Sequence, residues 1–371
     1  MFETIRPHLY EIKETIRPIV TFLAAPEILV PLVAIGLALI LKYYRVVTKP
    51  VYAIGASLVA LAFFVVSLSD AHFTDIITKP DNVPIVLLVG SLGFFFWLSL
   101  RRAAINDERS ENNLPPLEAN YRRETVLVWP DLVMIEFICL LALSALLVLW
   151  SIELRAPLEE PASAALTPNP SKAPWYFLGL QEMLVYYDPW YAGVVLPTLI
   201  VVGLVAIPYV DTNPRGNGYF TLKERKFAIT TFLYGFLVFW VTLIIIGTFL
   251  RGANWNFFGP YDHWDPHLQR PLMNVNISEI VWVGMLKTAL PEHWLPREIF
   301  GILLVGAYMT IGPALLAATI LRKLFKDLGF IRFSVVAMLM LFMFSLPIKM
   351  LGRWLFNLKY IVYIPEYFVN L

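Results

Sequence analysis

Eight apolar runs, each about as long as a membrane is thick, constrain this chain more than any other feature. They lie near residues 19–41, 51–69, 83–100, 131–151, 191–210, 228–250, 298–321 and 331–351. A helix needs about 20 apolar residues to cross a hydrocarbon core, and it must satisfy its own backbone where no water reaches. The predicted fold class is therefore all-α: a polytopic transmembrane helical protein of about eight spans plus a short interfacial helix. Composition agrees, since 58% of the 371 residues are hydrophobic, 15% are charged and mean hydropathy is +0.66, far more apolar surface than one globular core can bury. Glu27 and Glu136 interrupt the runs, and in lipid such groups are expected to face protein or an interface.

The net charge of +1 gives no electrostatic case for nucleic acid or another polyanion. The one cysteine, Cys139, sits inside an apolar run, so no disulfide framework or thiolate cluster can be built from this chain. No Lys/Arg-led apolar segment with a cleavage site opens the sequence, and the first span is expected to be retained. Residues 1–18 carry Glu-Thr-Ile-Arg-Pro twice, at 3–7 and 14–18. That spacing is close to three helical turns and fits an amphipathic surface helix, cut into short pieces by its prolines.

Lys and Arg gather in the loops holding Lys42/Arg45/Lys49, Arg101/Arg102/Arg109/Arg122/Arg123, Arg215/Lys223/Arg225/Lys226 and Arg322/Lys323/Lys326/Arg332. These alternate with the loops at 70–81, 152–190 and 252–297. Basic loops face the cytoplasm, which puts both termini and the long loops 152–190 and 252–297 outside. Loops of that length are seldom mere connections, so chemistry is expected on the outer face.

Residues 168–188 concentrate that expectation. A Pro-rich approach ends at Pro174, suited to a first helical turn, and a helix of about twelve residues is predicted to follow, too short to span. On it Trp175, Gly179, Glu182 and Tyr186 fall at i, i+4, i+7 and i+11, which places a ring, a gap, a carboxylate and a phenol on one face. Such a face suits a flat aromatic ligand that loses protons. Interfacial anchoring explains the Trp and Tyr equally well.

The stretch from Trp129-Pro130-Asp131-Leu132 through Ala173-Pro174-Trp175-Tyr176-Phe177-Leu178 and Gly203-Leu204-Val205-Ala206-Ile207-Pro208-Tyr209 to Phe249 resembles the C-terminal half of cytochrome b. It looks most like the subunit IV form found where cytochrome b is split, and the resemblance covers about residues 120–250. It divides the chain into a three-span N-terminal anchor (1–110), a subunit IV-like region (111–255) and an outer loop with two C-terminal spans (256–371). The family marks its quinol-oxidation site with Pro-Glu-Trp-Tyr. Here Ala173 and Pro174 stand in place of Pro and Glu, while Trp175 and Tyr176 match.

The resemblance implies a bacterial cytoplasmic-membrane (inner-membrane) subunit of a respiratory quinol:cytochrome c oxidoreductase that is not catalytic alone. Quinol would be oxidised on the outer side, with proton translocation. Pro174, Trp175, Tyr176, Leu178 and Gly179 would bind the quinol, Glu182 would take over the missing carboxylate's proton, and Tyr186 would relay it. The alternative for Glu182 is that it faces water or pairs with a neighbouring subunit. Haem b in this family needs paired histidines on spans, whereas His8, His72, His263, His267 and His293 all fall in predicted loops. A haem-binding N-terminal cytochrome b subunit is therefore an expected partner, with a Rieske iron–sulfur protein and a c-type cytochrome. His263 and His267 near Asp262 and Asp265 resemble a metal cluster, but packing against a periplasmic subunit is preferred and no metal is assigned. A non-catalytic membrane anchor for peripheral redox subunits is the alternative function. A transporter is disfavoured by the scarcity of intramembrane charge.

Overall fold

A computed structural model describes residues 2–121, 126–154, 158, 161–165, 167–213, 218–265 and 272–371, without the side chains of 2–6, 120 and 121. Arg122, Arg123, Arg215 and His267 lie outside the described residues. Among the described residues the main helices, numbered in order, are α1 (Phe2–Ala24), α2 (Pro26–Lys42), α3 (Pro50–Ser67), α4 (Ala71–Thr78), α5 (Val83–Glu111), α6 (Val128–Glu153), α7 (Leu178–Met183), α8 (Tyr191–Val210), α9 (Lys226–Phe249), α10 (Trp294–Ala318) and α11 (Arg322–Phe356). Among the described residues seven helices are long and apolar enough to cross a membrane, or eight if the bent pair α1–α2 is one span. The chain is an all-α multi-pass membrane protein.

The predicted first span, 19–41, is corrected. The run breaks at Ala25–Pro26 with a bend of 80°, because the residue before proline is driven out of the helical region and Ala25 takes ψ 131°. Residues 19–24 belong to α1 and the apolar helix restarts at Pro26. The expectation that Pro7 and Pro18 would cut the N-terminal helix into short pieces is also corrected, since α1 runs unbroken through both. In α11 the helix begins at Arg322, ahead of the apolar run at 331. Gly329, with φ 73°, turns the chain between the basic first two turns and the spanning part, a conformation that glycine adopts freely. Glu27 stands in the first turn of α2, where a carboxylate is favoured.

The loops sort into two ends. At one end Tyr44 Oη donates to Asp107 (2.8 Å), whose carboxylate also accepts from the backbone N–H of Leu222 and Lys223. Arg45 and Lys223 both pair with Glu111 there. The basic segments near 45, 111 and 223 therefore meet. At the other end Lys13 of α1 pairs with Asp70 (2.9 Å), Arg17 with Asp262 (2.9 Å) and Arg297 with Glu366 (2.9 Å). The N-terminal helix, the C-terminal tail and the loops around 70 and 262 share that second end, in the grouping that the charge pattern predicts. Two small sheets tie the tail down: Val275–Asn276 runs parallel to Leu358–Tyr360, and Tyr363–Ile364 antiparallel to Val369–Asn370.

The largest core lies between α2, α8, α9, α11 and the segment after α7. It buries Val30, Leu37, Tyr186, Tyr187, Leu243, Ile246 and Met350. Helix α6 contributes nothing to it, for no residue of its membrane window is buried.

Candidate functional site

The segment that the sequence singles out is shorter and more sharply turned than predicted. Trp175–Phe177 forms one 3-10 turn, α7 spans only Leu178–Met183, and turns carry the chain to Tyr187. Gln181 ties this elbow to its Pro-rich approach, accepting from Ala173 N–H (2.8 Å) and donating to the Ser171 carbonyl (2.7 Å). At the far side Lys359 donates to the carbonyls of Leu184 (2.5 Å) and Val185 (3.3 Å), groups a short helix leaves without internal partners. Gly179 and Gly247 let α7 lie directly on α9. A Cβ at Gly247 would sit 3.1 Å from the Leu178 carbonyl oxygen, and one at Gly179 would sit 3.3 Å from Ile244.

The expected common face is corrected, because the 3-10 turn rotates the two aromatics away from the carboxylate. Trp175 and Tyr176 line a cleft of about 300 Å³ with Ile85, Leu88, Val89 and Leu92 of α5 and Phe236, Trp240 and Ile244 of α9. Leu178, Gly179, Glu182 and Tyr186 are buried and do not line it; Pro174 is exposed at its edge and does not line it either. Every lining side chain is apolar or aromatic. The only polar atoms they offer are the two indole N–H groups and the Tyr176 hydroxyl. The cleft lies toward the end of the protein that carries the 168–188 segment. It suits a flat or chain-like apolar molecule with a small polar end.

Glu182 sits in a different environment, fully buried and bound on every side. Arg251 grips its carboxylate with two parallel bonds, Nε to Oε2 (2.9 Å) and Nη2 to Oε1 (2.5 Å). Trp255 Nε1 donates to Oε2 (2.7 Å), and the Tyr186 hydroxyl stands 3.5 Å from Oε1. The third arm of Arg251 donates to the Trp255 carbonyl (3.1 Å). Burial pushes the Arg251 guanidinium down, but Glu182 outweighs it and holds the group above its ordinary value. Burial, reinforced by Glu182, pushes the Tyr186 phenol up. A carboxylate held this way is a strut between α7 and the end of α9.

Neither Arg251 nor Trp255 was legible as a partner, since they lie 69 and 73 residues beyond Glu182 and Arg at the edge of an apolar run is ordinarily a snorkelling residue. Lys172 was missed as well. Its ammonium donates to the Thr248 carbonyl (2.8 Å) and lies 5.6 Å from the Trp264 ring, and burial, with Lys79 adding to it, lowers it to about 7.

The histidines with described side chains stand on α1 (His8), on α4 (His72), in the loop after α9 (His263) and at the N-cap of α10 (His293). Among the described residues no histidine lies within a spanning helix, so this donor set does not fit a bis-His haem. Comparison with protein-family models, with curated proteins and with solved structures yields no match for this chain.

Proposed function

We propose that this multi-pass protein is the quinol-binding membrane subunit of a Rieske/cytochrome b type quinol:cytochrome c oxidoreductase in a bacterial cytoplasmic membrane. The observation that carries the reading is the apolar cleft between α5 and α9, walled by the same Trp175-Tyr176 pair on which the family resemblance rests. In this reading quinol enters sideways from the bilayer. Its ring lies against Trp175, Tyr176 and Trp240, its tail follows Ile85, Leu88 and Val89, and Tyr176 supplies the hydrogen-bonding end. Electrons leave for cofactors on other chains: haem b in an N-terminal cytochrome b subunit, and a Rieske protein that passes its electron to a c-type cytochrome. Protons are released outside, which contributes to translocation. Glu182 and Arg251 then act as positioning residues that set the elbow carrying Trp175.

The second reading, a non-catalytic anchor, is favoured by one observation: the cleft has no carboxylate lining it, and the nearest one on the elbow is committed to Arg251. A photoactivatable quinone analogue tests the first reading. Labelling should map to peptides containing 175–176 and 236–245, and Trp175→Ala should weaken it by about tenfold, as befits loss of a large aromatic contact. Labels scattered over lipid-facing helices, or insensitive to Trp175→Ala, would overturn it. Site-specific labelling without quinol-dependent reduction of a copurifying b-type haem would favour the anchor.

A further inference from the structure

One pair of side chains outside the cleft has the geometry of a binding site. His72 on α4 and His263 in the loop after α9 are 191 residues apart in sequence, yet their Nδ1 atoms face each other at 3.3 Å. That is longer than the usual nitrogen hydrogen bond of about 2.9–3.0 Å. The ring centroids stand 5.2 Å apart. A straight Nδ1–H···Nδ1 bond at the same separation would put the centroids about 5.6 Å apart, since each Nδ1 lies roughly 1.15 Å from its ring centre. Two imidazoles sharing one ion at about 2.05 Å give an N···N distance of 3.3 Å at an angle of about 107°, and place the centroids about 5.2 Å apart. Both distances fit two imidazoles that share one ion.

The approach of the two rings is imposed by the surroundings. Buried Tyr261 donates to or accepts from Ser67 (2.7 Å), binding the start of the α4 loop to the loop after α9. Arg17–Asp262 and Lys13–Asp70 brace both sides. The far side of His72, whose Nε2 has no hydrogen-bond partner, meets Trp264 edge-on at 4.8 Å. In such a contact a ring N–H can point at an aromatic face. His263 is exposed, so an ion can arrive from solvent.

We infer that His72 and His263 hold one divalent transition-metal ion of the imidazole-selecting kind, zinc above all, and that the ion pins the α4 loop to the loop after α9. Imidazole nitrogen suits zinc, copper and nickel, and rules against magnesium or calcium. Among the described residues no group of three or more His, Cys, Asp or Glu converges, so water completes the shell and the ion exchanges readily. The inference is independent of the quinol reading, because none of its residues touches the cleft.

The test uses the full chain in detergent micelles, stripped with chelator and loaded with zinc or copper(II) chloride. Wild type should retain about one equivalent after gel filtration. His72→Asn and His263→Asn should each weaken binding at least about tenfold, while His293→Ala, at the α10 cap, should leave it unchanged. Copper spin resonance should show hyperfine coupling to two imidazole nitrogens, which reads the site directly even if one variant folds poorly. No retained metal in wild type, binding undiminished from wild type in both Asn variants, or a spectrum with a single coupled nitrogen would overturn the inference.

Discussion

Removing one member of the Glu182–Arg251 pair should be far more damaging than removing both. The pair is fully enclosed, Glu182 at 0% and Arg251 at 7% exposure, and its two charge-assisted bonds are joined by the Trp255 indole. In Arg251→Met the carboxylate keeps only Trp255 and a long contact to Tyr186, and it becomes an uncompensated charge in an apolar site. Losing one partner of such a pair costs roughly 3–5 kcal/mol. Glu182→Gln turns an amide NH₂ toward the guanidinium donors and strands the arginine instead, with a loss of the same order. The double variant Glu182→Met/Arg251→Met removes both charges at similar volume. Such replacements are often neutral or stabilising by about 1–4 kcal/mol, so the coupling in the cycle should be several kcal/mol. Unfolding in mixed micelles with rising SDS, followed by tryptophan fluorescence, measures all four proteins. Single variants within about 1 kcal/mol of wild type, or losses that simply add in the double, would refute the strut. So would a Glu182→Gln protein of unchanged stability whose quinol turnover falls by the ~10²–10⁴-fold typical of a lost general base.

Lys172, lowered by burial to about 7 from an ordinary 10.5, should make stability rise with pH between those values, because there the unfolded chain binds a proton that the folded chain does not. Lys172→Met should reduce that rise in pH-dependent unfolding, and Lys359, which burial lowers to about 8, contributes to what remains. Gly301→Ala on α10 would drive its methyl into the Ile361 carbonyl, and should cost at least about 1–3 kcal/mol of stability by overpacking, with the C-terminal tail the first part to become protease-sensitive. With Cys139 replaced by Ser, a cysteine at Thr212 should resist an impermeant thiol reagent applied to intact cells and react after permeabilisation; labelling from outside would invert the assigned orientation.

Much of the membrane architecture was legible because lipid leaves the chain few choices. The run at 191–210 coincides with α8, and 228–250 differs from α9 by a residue or two. The break at Ala25–Pro26 was also written in the sequence, as a proline preceded by a residue it restricts, but an unbroken apolar run hides a bend. The site was legible only locally. Spacing rules assume one continuous α-helix, and a single 3-10 turn at Trp175–Phe177 was enough to part Trp175 from Glu182. What decides the chemistry of Glu182 and His72 arrives from α9 and the loop beyond it, through contacts that no local pattern encodes.

Helix α6 buries none of its window, yet the segments on either side of it bond to each other: Asp107 to Lys223 at one end, Ser67 to Tyr261 at the other. Those bonds require the segments that carry Lys223 and Tyr261 to emerge on fixed, opposite surfaces, and that depends on whether the number of crossings between them and α5 is odd or even. Deleting α6 would remove no core contact and still invert every later segment. The helix serves the fold as a count made by the insertion machinery, so an unrelated apolar stretch of equal length would do the same work, whereas a single polar substitution that stopped it crossing would not.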